Sequence, residues 1–333
     1  MRVAEISLPR ETGENGGITR CFVTRDLPGP ALRTLTERHE TVVWPGDLPP
    51  TPAELRAALT AHDPEAVICT VSDRIDAAAL DAAPRLRAIA NYAVGYDNID
   101  LAAATARGIS VGNTPDVLTD ATADLAFALL LACARRLPEG MARVSGGDWV
   151  TWEPSRDLGA AVHGATLGIV GGGRIGSAVA RRAAGFEMTV LTHSRRHGTT
   201  LPELLERSDF VSLHCPLTPE THHLIDDRAL ARMRESAILI NTSRGGVVDQ
   251  DALARALHAG QIAGAGLDVT DPEPLPADHP LLRAPHLIVL PHVGSATVAA
   301  REAMTALAVQ NVLAALDGGT MPHAVSAAQP AGT

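Results

Sequence analysis

The sequence predicts an α/β fold of two doubly wound parallel sheets, and three observations carry that expectation. Short apolar segments alternate with amphipathic segments of helical spacing almost throughout. The alternation restarts after a loop holding Trp149 and Trp152. A chain of 333 residues is also long enough for about two cores. In the first series, 18–23, 41–44, 66–70, 86–90 and 108–111 read as strands. Residues 30–38, 52–62, 76–82 and 100–107 between them carry helical spacing. A long helix over 119–136 follows, and its apolar run 125–134 predicts packing at a boundary between lobes or subunits. The second series places strands at 166–170, 188–192, 210–213, 237–241, 264–269 and 287–290, with a closing helix over 297–316. The tail 327–333 and the polar, Gly-rich start 1–17 read as loosely ordered, and no solenoid repeat is present.

Composition removes several function classes. A net charge of −10 leaves no basic face for nucleic-acid phosphates, and 3% aromatic residues offer no platform for stacked bases. The run 125–134 is too short to span a bilayer, and nothing in 1–17 resembles a secretory signal. Cys21, Cys69, Cys133 and Cys215 are widely spaced with no CxxC pair, which suits reduced thiols. A cytoplasmic protein with no membrane partner is expected.

The sharpest motif is Gly171-Gly172-Gly173-Arg174-Ile175-Gly176. It lies between the predicted strand 166–170 and a helical stretch 177–184, the context a dinucleotide-binding Rossmann turn requires. Gly171 permits the tight turn, Gly173 lets the backbone approach a pyrophosphate, and Gly176 allows close helix–strand packing. The amides at Arg174 and Ile175 then face the phosphates with the positive end of the helix dipole. Where a ribose-binding acid is expected, the chain carries Ser194, Arg195 and Arg196. Arginine forks match a 2′-phosphate and a carboxylate would repel it, so NADPH is favoured, with NADH as the alternative.

Three polar residues follow three different strands of the second series: Arg244 after 237–241, Glu273 after 264–269 and His292 after 287–290. In open α/β sheets the carboxyl edge faces the ligand crevice, so the three converge beside the dinucleotide. His214, His222 and His223 flank one strand end near Cys215, but hydride chemistry served by Arg and His needs no metal, and none is expected.

With these residues in view the chain resembles the D-isomer-specific 2-hydroxyacid dehydrogenases, and most of all their glyoxylate/hydroxypyruvate reductase branch. The resemblance rests on Ala93-Val94-Gly95-Tyr96-Asp97-Asn98-Ile99-Asp100, Leu118-Thr119-Asp120-Ala121-Thr122-Ala123-Asp124, the glycine turn, and the segments 241–245, 268–276 and 291–297. It implies that Arg244 holds the substrate carboxylate, joined by the backbone N–H groups of Val94 and Gly95. His292 would give a proton to the carbonyl oxygen, with Glu273 favouring its charged form and orienting the ring. Asp268 would support the site, and Cys215, Pro216, Thr221, Thr242, Ser243 and Gly294 would line the cofactor. Trp152 resembles a tryptophan that reaches a neighbouring active site in related dimers, so a homodimer is implied. The dinucleotide domain, 114–293, would be inserted into a flavodoxin-like substrate domain formed by 1–113 and 294–333, with a small 2-oxo acid between them.

Three departures from the family stand out: a shorter stretch between His193 and Asp209, Thr270 where relatives carry an aromatic residue, and the extension to Gly17. Other substrates for the same machinery are D-lactate, 3-phosphoglycerate, formate or phosphite; the absence of a regulatory domain after Val325 disfavours the longer phosphoglycerate enzymes. An NAD(H)-sensing corepressor is the reading outside enzymes, and fold alone does not separate it.

Overall fold

The computed structural model describes residues 19–195 and 198–325. The two termini and Arg196 lie outside them. The first series forms β1 (Arg20–Val23), α1 (Ala31–Arg38), β2 (Glu40–Val43), α2 (Pro52–His62), β3 (Ala66–Cys69), α3 (Ala77–Asp81), β4 (Ala88–Asn91), α4 (Leu101–Ala106) and β5 (Ser110–Gly112). Helix starts follow their caps: Thr51 and Glu54 form a capping box on α2, and Asp76 and Asp100 accept the third amides of α3 and α4.

Then come α5 (Thr119–Ala134) and α6 (Leu137–Ser145). The second series is β6 (Thr166–Val170), α7 (Arg174–Ala184), β7 (Thr189–His193), α8 (Leu201–Arg207), β8 (Phe210–Leu213), α9 (Asp227–Leu230), β9 (Ile238–Asn241), α10 (Gln250–His258), β10 (Gly264–Leu267) and β11 (Leu287–Val289). The chain closes with α11 (Val298–Leu316) and β12 (Ala324–Val325).

The strands make two sheets, β2-β1-β3-β4-β5-β12 and β7-β6-β8-β9-β10-β11. Every pairing is parallel except β12 on β5. The fold class agrees with the expectation from the sequence. Both sheets step from their first strand to one side and then the other, so each has a switch point beside that strand: β1/β3 in the first, β6/β8 in the second. The late helix α11 returns to the first sheet, where Met304, Ala308 and Val312 pack with Val23, Ile68 and Ala90.

Two expectations are corrected. The run 125–134 is not left for another subunit: Ala126, Phe127, Leu129 and Leu130 are buried against Leu167, Ile169, Ile238, Ile240 and Val179 of the second lobe. Burial of each large side chain there contributes about 1.5–3 kcal/mol, so the apolar run serves its own sheet. Only the first turn lies at the lobe boundary, where Leu118 and Ala121 meet the first core. The second correction is α6, which stands inside what reads as a loop. Pro138 and Gly140 look like breakers, yet proline is compatible with a first helical turn. Strand β12 is likewise unpredicted, its two residues being too few for a periodic signal.

Candidate active site

The second sheet's switch point is built by close approach. Gly171 has φ +102°, and a Cβ there would sit 2.6 Å from the backbone of His214 and Cys215 at the end of β8. A side chain at Gly176 would meet the Gly171 carbonyl, so the helix lies directly on the turn. Gly173 caps α7 without any side-chain acceptor for the first amides. Such a turn can cradle a phosphate, and the residues present fit a nicotinamide dinucleotide: Gly173, Arg174 and Ile175 line the cleft beside Cys215, Pro216, Thr242, Ser243 and Gly294. Beneath the turn, His214 is half-buried with Nε2 2.8 Å from Ser212 Oγ, and desolvation pushes its pKa down to about 4. Burial pushes the Cys215 thiol up to about 11. Both are uncharged at neutral pH, which leaves the positive charge of this wall to its arginines.

Arg244 stands at the end of β9 in a turn organised by Asn241. That side chain donates to the Arg244 carbonyl at 2.9 Å and accepts from the Ser243 amide at 3.0 Å. The guanidinium then crosses the cleft. Its Nε donates to both Asp97 oxygens, at 3.0 and 3.2 Å, and Nη1 donates to the Ser243 carbonyl at 2.9 Å. Nη2 lies so close to Gly95 that a Cβ there would collide with it. On the facing loop, the Ala93 carbonyl accepts from the Thr114 amide and the Val94 carbonyl from Asn113 Nδ2, both at 2.8 Å. A trans peptide turns its N–H opposite to its carbonyl, so both fixed carbonyls leave the Val94 and Gly95 amides on the other side of the loop. The two residues line the cleft together with Arg244.

His292 and Glu273 come together as the spacing predicts, with Nδ1 2.5 Å from Oε1. The engaged Nδ1 leaves Nε2 as the free ring nitrogen. Asp268 holds the loop that carries the histidine. Its carbonyl accepts from the His292 amide at 2.9 Å, and its two carboxylate oxygens accept from the Val293 and Gly294 amides at 2.8 and 2.7 Å. Burial raises the Asp268 pKa, while those amides and the nearby His292 pull the other way. These three bonds hold His292 in a left-handed backbone conformation, φ +55°.

One cavity of about 720 Å³ between the lobes gathers Val94, Gly95, Gly173, Arg174, Ile175, Cys215, Pro216, Thr242, Ser243, Arg244, Asp268, Glu273, His292 and Gly294. Six other expected site residues do not line it: Gly171, Gly176, Ser194, Arg195, Thr221 and Trp152. The two glycines act through packing instead. Thr221 gives its hydroxyl to the Pro216 carbonyl and braces the loop. Ser194 and Arg195 follow β7 at the outer edge of the sheet, and Trp152 is 80% exposed beyond α6. Among the cleft residues not singled out from the sequence, two acids pair with its arginines. Asp97 holds Arg244, and Asp116 pairs with Arg174 at 2.7 Å. Asp97 stood inside a quoted motif, but a motif does not reveal its partner. Among the described residues no group of three or more His, Cys, Asp or Glu is arranged to hold a metal ion, and no helix is long and apolar enough to cross a membrane.

Comparison with known proteins agrees with this arrangement. The family model described as D-isomer specific 2-hydroxyacid dehydrogenase, NAD binding domain, matches residues 127–294. Glyoxylate reductase of Korarchaeum cryptofilum is 48% identical over 319 residues, covering 92% of this chain and 96% of that protein. Glyoxylate reductase of Pyrococcus horikoshii is 46% identical over 322 residues, again covering 92% and 96%. Among solved structures, the TT0316 protein of Thermus thermophilus superposes with TM-score 0.87 at 50% identity, covering 92% of this chain and 99% of that one. An NADPH-dependent glyoxylate/hydroxypyruvate reductase from Sinorhizobium meliloti, solved with NADP and malonate, gives TM-score 0.81 at 36% identity, covering 92% and 96%. The chain belongs to the D-isomer specific 2-hydroxyacid dehydrogenases, a family of NAD(P)-dependent oxidoreductases, beside the members named glyoxylate reductase.

Proposed function

We propose that this protein reduces glyoxylate or hydroxypyruvate to the D-2-hydroxy acid, with NADPH preferred over NADH. The observation that carries the reading is the meeting of Arg244 with the Val94–Gly95 turn across the cleft that His292 and Glu273 also line. Arg244 Nη2 and the two amides hold the substrate carboxylate as charge-assisted donors. That fixes the adjacent carbonyl for His292 Nε2, which donates the proton to its oxygen, while Glu273 on Nδ1 stabilises the charged ring. When bound, the reduced nicotinamide supplies the hydride. In the reverse direction the same nitrogen takes the proton back. The relatives' names support the substrate class, and the NADP in the Sinorhizobium meliloti structure supports the cofactor class. Ser194 and the two arginines after it supply the argument for the phosphorylated form.

The two sheets, β1–β5 with β12 and β6–β11, support the proposed division into 1–113 with 294–333 and 114–293. Closure about the two crossings would exclude water from the reaction. A homodimer is the second part of the proposal. Helix α6 has no buried residue, and Met141, Val144, Trp149, Val150, Trp152 and Leu158 in and after it are all exposed. So many exposed apolar side chains within one segment suit a second copy of this chain, whose cleft Trp152 would approach. The four free cysteines suit a reducing compartment such as the cytoplasm.

The test is nicotinamide oxidation measured with NADPH and NADH against glyoxylate, hydroxypyruvate and pyruvate. Fast turnover of either of the first two, favouring NADPH, is expected. Bound cofactor with no turnover on any of the three would overturn the glyoxylate/hydroxypyruvate reading and point to another 2-hydroxy acid or to a sensing role. Light scattering should return twice the chain mass.

A further inference from the structure

The first sheet has its own switch point, and it opens into the same cleft. In this strand order the crevice beside the first strand is where ligands bind. Its walls are the segments after β1, β3 and β4: Arg25, Thr70 with Ser72, and Tyr92 all line the cavity. Arg301, in the first turn of α11, lies over the Tyr92 ring with its guanidinium carbon 5.9 Å from the centroid, and also lines the cavity.

Four arginines face this cleft, and they divide sharply. Arg244 is paired with Asp97 and Arg174 with Asp116. Arg25 Nη1 and Arg301 Nε are buried with no hydrogen-bond partner among the described residues. The acids of the cleft do not serve them. Glu273 is on His292, Asp268 on two backbone amides, and Asp26 is exposed. Behind the wall, Asp73 Oδ2 accepts from Thr24 Oγ1 at 2.5 Å and from the Thr70 amide and hydroxyl at 2.7 and 2.9 Å, and its Oδ1 is buried without a hydrogen-bond partner among the described residues. A buried guanidinium donor without an acceptor is costly, so two in one crevice indicate an acceptor from outside the chain.

We propose that Arg25 and Arg301 form a subsite for a second anionic group on the substrate. The 2-oxo acids bearing a distal carboxylate or phosphate are then substrates of this site. Arg244 takes the carboxylate next to the reacting carbonyl, and the first sheet's crevice takes the far anion. The inference rests on the reductase reading above and specifies the substrate class for it.

The experiment compares kcat/KM on glyoxylate, hydroxypyruvate, 2-oxosuccinate and 3-phosphonooxypyruvate for the wild type, Arg25→Gln and Arg25→Lys. At least one dianion should match or exceed hydroxypyruvate in the wild type, and the two dianions distinguish carboxylate from phosphate. Arg25→Gln should lower the better dianion by about tenfold or more, with glyoxylate changed less than about twofold, and lysine should restore part of the loss. Both dianions falling about tenfold below hydroxypyruvate in the wild type, or equal losses on glyoxylate and dianion, would overturn it. If no 2-oxo acid is reduced at all, the reductase reading fails separately. Malonate and propionate titrated into the NADPH-loaded protein then decide the subsite: Arg25-dependent preference for the diacid upholds it, and equal binding removes it.

Discussion

The two sheets share one strand order, yet their switch points recognise different chemistry by different means. In the second sheet three residues, 171–173, join β6 to α7. So short a glycine turn brings the helix N-terminus to the strand edge, where amides and dipole meet a phosphate. In the first sheet seven residues, 24–30, join β1 to α1, with Pro28 and Pro30 among them. The longer connection sets the helix back and leaves side chains, Arg25 among them, at the crevice. Equal topology therefore yields a backbone site in one lobe and a side-chain site in the other. Loop length and glycine content decide which.

That contrast can be broken or sharpened experimentally, and the largest effect should come from the proposed proton donor. His292→Ala should cut kcat by about 10²–10⁴ while cofactor affinity, read by NADPH fluorescence, stays nearly constant. Retained turnover would remove His292 from the chemistry. Next, Gly171→Ala tests recognition by backbone. With φ +102° and the β8 backbone 2.6 Å away, the dissociation constant of NADPH should rise by about tenfold or more. Unchanged binding would mean that the turn tolerates a side chain and the cradle is misread.

Asp97→Asn probes the link between the lobes. The amide keeps one acceptor for Arg244 Nε but loses the charge, so KM for glyoxylate should rise by about three- to tenfold with kcat less affected. A kcat loss at constant KM would instead place Asp97 in the chemical step. The smallest effect concerns His214. Its folded pKa of about 4 lies below the ordinary 6.5, so the unfolded chain binds the extra proton between those values. Stability is therefore full above about pH 6.5 and falls as the pH drops, by about 2 kcal/mol from this residue at pH 5. Urea midpoints at pH 7 and pH 5 should differ less in His214→Gln than in the wild type, and an equal drop in both would reject the assignment.

Most of the fold was legible because its signals are local. The strand 166–170 and the glycine turn lie within a dozen residues, and α2 is announced by Thr51, Pro52 and Glu54. Arg244, Glu273 and His292 could be grouped because each follows a strand of one parallel sheet. The failures have a common origin. The apolar run of α5 reads the same whether it packs on its own sheet or on another chain, and only its position beside β6, β9 and α7 separates the two. Helix α6 carried Leu137, Met141 and Val144 at helical spacing, but Pro138 and Gly140 obscured it.

Residue order alone settled the alternation of strands and helices and located the glycine turn, since these depend on periodicity and turn chemistry over a few residues. Tertiary packing decided what Arg244 touches. Asp97 is 147 residues away in sequence, and no local pattern encodes a pairing made only when two separate sheets face each other across a cleft. The same packing left Arg25 Nη1 and Arg301 Nε without hydrogen-bond partners among the described residues and exposed one side of α6, because burial and charge compensation are properties of the assembled chain.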